Sequence, residues 1–161
     1  MFLCIADMRL YKRGLGEALS HLQLLIIDDD AIVRSMLRYI VESDEHSVVG
    51  EADNGQAGIS AAEDLRPDLI LLDVSMPVMG GFPAARQLAV NMPEMPIIFV
   101  TQHTDQSYAD EAFRCGAKGY VIKRAATTEL PNAIHTVMAG QVFCSPLVED
   151  DGFISAPHQN A

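Results

Sequence analysis

The stretch Leu24-Leu25-Ile26-Ile27-Asp28-Asp29-Asp30 passes abruptly from an apolar run to three consecutive carboxylates. Between Leu22 and Ile27 only Gln23 breaks the apolar character. Such a run suits a strand buried on both faces of a parallel sheet. Ile32, Val33, Met36, Leu37, Ile40 and Val41 then recur at helical spacing, and Asp30 stands where a helix N-cap is needed. The first unit is therefore a strand, a polar turn and an amphipathic helix.

The same unit recurs downstream. Ser47 to Glu51 reads as a second short strand, Asn54-Gly55 as a turn, and Ile59, Ala62 and Leu65 mark a helix that Pro67 ends. Asp68-Leu69-Ile70-Leu71-Leu72 is a third strand running into Asp73. Pro77 and Gly80-Gly81 form a loop before a helix carrying Ala84, Ala85, Leu88 and Ala89. Ile97-Ile98-Phe99-Val100 runs into Thr101, and a helix follows through Tyr108, Ala112 and Phe113 to a stop at Cys115-Gly116. Gly119-Tyr120-Val121-Ile122 runs into Lys123, and Leu130, Ala133, Ile134, Val137 and Met138 make a last helix closed by Gly140. Strands alternating with helices imply one α/β domain with a parallel sheet covered on both faces. Residues 1–21 read as an N-terminal extension, 22–145 as the domain and 146–161 as a mobile tail.

Composition bounds the rest. The chain has 161 residues, 49% apolar and 20% charged, enough for one domain with a sizeable core. Without Trp, that core must rest on Leu, Ile, Val, Ala and Met. A formal net charge of −11 repels a phosphate backbone, so no direct nucleic-acid binding is expected. The acidity suits a cation, although a solvated acidic surface gives the same number. Cys4, Cys115 and Cys144 have no metal-ligand spacing and fit a reduced, cytoplasmic protein. No apolar run is long enough for a bilayer, and the opening lacks a signal-peptide pattern.

In open parallel sheets, ligands bind beyond the carboxyl ends of the strands. The residues at those ends are Asp28 and Asp29, Asp73, Thr101 and Lys123. Three carboxylates in one cleft repel one another unless one is protonated or a cation neutralises them. With no His or Cys among them, a hard, oxygen-seeking Mg²⁺ fits best. Asp73 is the natural nucleophile, since a carboxylate can form an acyl phosphate. Mg²⁺, Lys123 and the Thr101 hydroxyl can cover the three equatorial phosphoryl oxygens, and the backbone near Ser75 can offer a carbonyl to the metal. Singly, each residue has a plainer reading: a solvated cap, a turn aspartate, a satisfied strand-end hydroxyl, a surface lysine. Their joint order along the strand ends is what argues for one site.

Four of these segments resemble response-regulator receivers: Leu24 to Asp30, Leu71-Leu72-Asp73-Val74-Ser75-Met76-Pro77, Val100-Thr101, and Gly119-Tyr120-Val121-Ile122-Lys123. The resemblance covers about residues 22 to 145. It implies a flavodoxin-like (βα)5 doubly wound sheet of five parallel strands in the order 2-1-3-4-5. It implies phosphorylation of Asp73 by a sensor histidine kinase or histidine phosphotransfer protein. It further implies Mg²⁺ held by Asp29, Asp73 and the Ser75 carbonyl, with Asp28 acting through water. Thr101 and Tyr120 match the switch pair and Lys123 the phosphate-contacting lysine, although Tyr120 also fits plain core packing. On phosphorylation Thr101 would move in, Tyr120 would turn inward, and the surface of the fourth helix, fifth strand and fifth helix would present itself to a downstream partner. The chain would catalyse only its own phosphoryl transfer and dephosphorylation.

Arg124, where many receivers have proline, and the ending Ala139 to Pro146 look like the NarL/FixJ-like subfamily. Its full-length members carry a helix-turn-helix domain. About fifteen residues follow Pro146, too few for one, so a stand-alone receiver or a fragment of a DNA-binding regulator is expected. A homodimer stays open. Gly80 stands where an acidic or amide residue is common, and Gln102 is larger than the usual small residue. Gln102 is expected to narrow the in-line path to Asp73 and slow exchange. Two rivals fit less well. An aspartyl phosphatase of the haloacid-dehalogenase type wants a second carboxylate where Ser75 stands. A flavodoxin-like FMN protein wants a phosphate loop where Asp28-Asp29-Asp30 would repel it.

Overall fold

The computed structural model describes residues 21–149. Of the expected N-terminal extension only His21 is described, and the tail from residue 150 lies outside the described residues. The elements run β1 (Gln23–Ile27), α1 (Ala31–Ser43), β2 (Ser47–Ala52), α2 (Gly55–Leu65), β3 (Leu69–Leu72), α3 (Gly81–Asn91), β4 (Ile97–Thr101), α4 (Gln106–Arg114), β5 (Gly119–Ile122), α5 (Ala126–Met138) and β6 (Phe143–Cys144). All pairings are parallel, in the order β2-β1-β3-β4-β5-β6.

The unbroken apolar strands are explained by two cores, one on each face of the sheet. Successive strand residues point to opposite faces. Leu25, Ile27, Ile70, Leu72, Ile97, Phe99, Tyr120 and Ile122 therefore pack against α2, α3 and α4. Leu24, Ile26, Leu69, Leu71, Ile98, Val100 and Val121 pack against α1 and α5. A strand with helices on both sides has no solvent face, so it cannot alternate with polar residues.

Local signals set the element boundaries. The Asp30 carboxylate accepts from the Ile32 and Val33 amides at 2.8 and 3.3 Å, capping α1. The Asn54 side chain accepts from the Ala57 amide at 3.0 Å and caps α2. After α4, Gly116 takes φ +96°, a conformation that carries little penalty only for glycine.

One expectation is corrected: among the described residues the sheet has six strands, not five. Phe143 N–H donates to the Lys118 carbonyl at 3.0 Å and Ser145 N–H to the Tyr120 carbonyl at 2.8 Å. These bonds satisfy the outer edge of β5, which would otherwise stand unpaired. The chain stays packed beyond residue 145, where the tail was expected to begin. Leu147 and Val148 lie against the α2–α4 core. Glu149 N–H donates to the Thr104 carbonyl and Gln106 N–H to the Glu149 carbonyl, at 2.7 and 3.0 Å. This segment straps the loop between β4 and α4.

Candidate functional site

Parallel register brings the strand ends to one rim. Asp28 follows β1 and donates its amide to the Ala52 carbonyl, while Asp73 follows β3 and donates its amide to the Ile27 carbonyl. Asp28 and Asp73 are therefore neighbours, both buried, with Asp29 exposed beside them. One carboxylate oxygen from each of the three lies within 4.8 Å of the others. Lys123 reaches in from the end of β5. Its Nζ stands 2.8 Å from Asp28 Oδ2 and 3.2 Å from Asp73 Oδ2.

The carboxylates are held at their other oxygens too. Asp28 Oδ1 accepts from the Asp30 amide and Asp73 Oδ1 from the Val74 amide, each at 2.8 Å. Among the described residues, one ammonium stands against the three carboxylates, which leaves the rim negative on the exposed Asp29 side. An all-oxygen donor set with excess negative charge fits Mg²⁺.

Burial pushes the Asp73 carboxyl above the usual range; Lys123 opposes this and Asp28 adds to it. For Lys123, burial works to lower the value, but the two carboxylates outweigh it and raise the amine. The folded chain holds the Asp73 proton more tightly than the unfolded chain, so ionised Asp73 opposes folding at neutral pH. That penalty fades as pH falls through the raised value and vanishes below the unfolded one. Asp73→Asn is expected to stabilise the protein at pH 7 by on the order of 1 kcal/mol. The gain should shrink steadily in urea melts taken toward pH ~4.

Thr101 closes β4 and is fully buried; its hydroxyl accepts from the His103 amide at 3.4 Å. The Tyr120 ring, expected to turn inward on phosphorylation, is already inside, with its hydroxyl donating to the His103 carbonyl at 2.9 Å. Burial pushes that phenol well up. Gln102, expected to restrict the path to Asp73, is exposed. His103 is the neighbour that reaches across: its Nε2 lies 2.9 Å from the Ser75 hydroxyl, and its ring stacks on Tyr108 at 4.1 Å. Sequence reasoning missed His103. The available signal was its place two residues past a strand-end hydroxyl.

The loop after Asp73 is tight. Gly81 N–H donates to the Val74 carbonyl at 2.8 Å, and a Cβ on Gly81 would lie 2.0 Å from the Asp73 carbonyl oxygen. Val78 takes φ +66° with its side chain exposed, a conformation β-branched residues avoid.

A doubly wound parallel sheet with an acidic rim and a partly buried lysine at its carboxyl end defines a receiver-type domain. The chain matches the family model described as the response regulator receiver domain over residues 24–135, and it belongs to that family. It is 35% identical to response regulator GacA of Pseudomonas viridiflava over 128 residues, which covers 79% of this chain and 60% of GacA. It is 36% identical to response regulator UvrY of Escherichia coli K12 over 121 residues, 74% of this chain and 56% of UvrY. The chain thus spans about 60% of the length of such curated relatives. Among solved structures, it resembles a LuxR-family two-component response regulator from Aurantimonas sp. SI85-9A1. That match has TM-score 0.77 and 31% identity, covering 80% of this chain and 93% of the other. It also resembles the isolated receiver domain of RcsB from Salmonella enterica serovar Typhimurium, solved with the phosphomimetic BeF3−. There the TM-score is 0.74 and the identity 26%, covering 80% and 96%. The chain is a receiver domain of two-component signalling. Among the described residues, no helix is long and apolar enough to cross a membrane.

Proposed function

We propose that Asp73 accepts a phosphoryl group from a sensor histidine kinase or a histidine phosphotransfer protein in the cytoplasm. The observation that carries this reading is the Lys123 ammonium set between the buried Asp28 and Asp73 carboxylates at the strand ends. A carboxylate oxygen of Asp73 attacks phosphorus in line, and the phosphorus–nitrogen bond to the donor imidazole breaks. The Val74 amide and Lys123 orient the Asp73 carboxylate. Lys123 then answers the charge on one phosphoryl oxygen, and the Thr101 hydroxyl donates to another. Asp28, Asp29, Asp73 and the Ser75 carbonyl would hold Mg²⁺, which when bound neutralises phosphoryl charge. The protein acts on no external substrate beyond its own transfer and hydrolysis.

The switch runs through His103. Its amide donates to Thr101 and its carbonyl accepts from Tyr120, so a Thr101 drawn toward the phosphoryl group pulls on both. The α4, β5 and α5 surface changes with it, and a downstream protein reads the change. A second reading is favoured by length. The curated relatives extend well past the matched stretch, and one of them, YdfI of Bacillus subtilis, is a transcriptional regulatory protein of which 58% is covered. On that reading the chain is the receiver portion of a DNA-binding regulator. The haloacid-dehalogenase alternative lacks its acid, because Ser75 stands in the required place with its hydroxyl beside His103.

The test is incubation with acetyl phosphate and Mg²⁺, followed by intact mass. Wild type should gain one phosphoryl group and Asp73→Asn none. Gain in neither would sink the reading in favour of a receiver that signals without phosphate.

A further inference from the structure

We propose that Asp44, His46 and His135 form a second metal site, for a divalent transition ion with Zn²⁺ as the best fit. The three share no residue with the acidic rim around Asp73. Asp44 caps the C-terminus of α1, His46 leads into β2, and His135 stands in the last turn of α5. Packing of α1 and α5 on one face of the sheet brings them together.

The Asp44 carboxylate sits between the two imidazoles. Asp44 Oδ2 lies 3.5 Å from His46 Nε2 and 3.5 Å from His135 Nε2. One ligand atom from each residue falls within 4.8 Å of the other two. Tetrahedral zinc ligands at about 2.0–2.1 Å from the ion sit roughly 3.3–3.4 Å apart. The two contacts to Asp44 need a contraction of only a few tenths of an ångström to reach that spacing, and the two imidazoles stand within 4.8 Å of each other.

A second observation points into the same spot. Asp44 Oδ2 and His46 Nε2 are buried atoms with no hydrogen-bond partner, and the His46 side chain is 4% exposed. Buried polar atoms are normally satisfied, and those that are not call for an ion or a water. Two imidazoles and a carboxylate select zinc-like ions over Mg²⁺, which prefers oxygen alone. Burial favours the uncharged His46 ring, which is the ligating form.

The neighbours fix the remaining coordination. The His21 nitrogens already face the Glu45 carbonyl at 2.6 Å and the Ser47 hydroxyl at 2.5 Å, so His21 is not the fourth ligand. The His135 side chain is 56% exposed, which leaves a solvent side for water. One contact works against the ion. The Leu22 amide donates to His46 Nδ1 at 3.3 Å, so the neutral ring carries its proton on Nε2. On binding, that proton moves to Nδ1, and the buried Leu22 amide loses its acceptor. The site should therefore be weaker than a zinc finger. Once filled, it ties the α1–β2 turn to the end of α5.

The test uses the full chain, stripped with chelator and held in excess Mg²⁺ to occupy the acidic rim. Zn²⁺ is titrated against a chromogenic chelator, and Co²⁺ is used for its visible spectrum. One equivalent should bind with a roughly micromolar dissociation constant, with tetrahedral-type Co²⁺ bands. Asp44→Asn and His135→Gln, both at partly exposed positions, should each weaken binding by at least about tenfold. Asp73→Asn should leave it unchanged, which separates this site from the phosphorylation reading. Binding that is equal in both variants, or absent below about 100 μM, overturns the proposal.

Discussion

Lys123→Met is expected to slow phosphoryl transfer to Asp73 by about 100-fold and to destabilise the protein in Mg²⁺-free buffer. The rate effect follows from losing the cation that answers charge on the transferring group; a single such donor is worth about 10²–10³ in rate. The stability effect has a separate cause. Asp28 and Asp73 side chains are only 2% and 6% exposed, and Lys123 is the cation within reach of both. Removing one partner of a buried ionic group strands the other charge, at a cost of about 3–5 kcal/mol. Part of that is offset here because Asp73 can take up a proton. The loss should thus be largest at neutral pH and shrink as pH falls, and added Mg²⁺ should recover much of it. Urea midpoints with and without Mg²⁺, and acetyl phosphate time courses, measure the two effects. An unchanged transfer rate would remove Lys123 from the chemistry.

Gly81→Ala is the second large effect, and it acts through backbone. The new Cβ would lie 2.0 Å from the Asp73 carbonyl oxygen and 2.9 Å from its carbonyl carbon, with Phe99 Cε1 also at 2.9 Å. Neither peptide nor core ring can step aside easily, since interiors are close-packed. Either α3 shifts outward or Asp73 moves, and the expected cost is about 3 kcal/mol. Because Asp73 is the residue displaced, phosphorylation should fall with stability. Gly80→Ala is the control. Its Cβ would meet the Val74 carbonyl oxygen at 3.1 Å with an ordinary φ of −74°, so the loss should stay under about 1 kcal/mol. Equal melting temperatures for Gly81→Ala and wild type would contradict the close approach.

The strand ends were legible because burial on both sheet faces makes each strand a continuous apolar run. The first polar residue then marks where the chain leaves the sheet. That rule located Asp28, Asp73, Thr101 and Lys123 without coordinates, and the structure gathers the three charged groups among them. What escaped was set by contacts that leave no periodic trace. Phe143–Cys144 is two residues long and is a strand only because β5 offers an edge. His103 lies in a loop, and its reach to Ser75 depends on stacking against Tyr108. Asp44, His46 and His135 meet through the packing of two helices far apart in the chain. Tyr120 was legible as a switch or a core residue, and its inward ring reflects a hydroxyl that finds an acceptor inside, at His103.

Locating the phosphoryl group decides whether Asp73 is the acceptor. After acetyl phosphate and Mg²⁺, borohydride reduction converts an aspartyl phosphate to homoserine, and tandem mass spectrometry of peptides assigns the position. Conversion is expected at position 73 alone. Conversion at Asp28 or Asp29, or a phosphoryl mass that survives in Asp73→Asn, would contradict it.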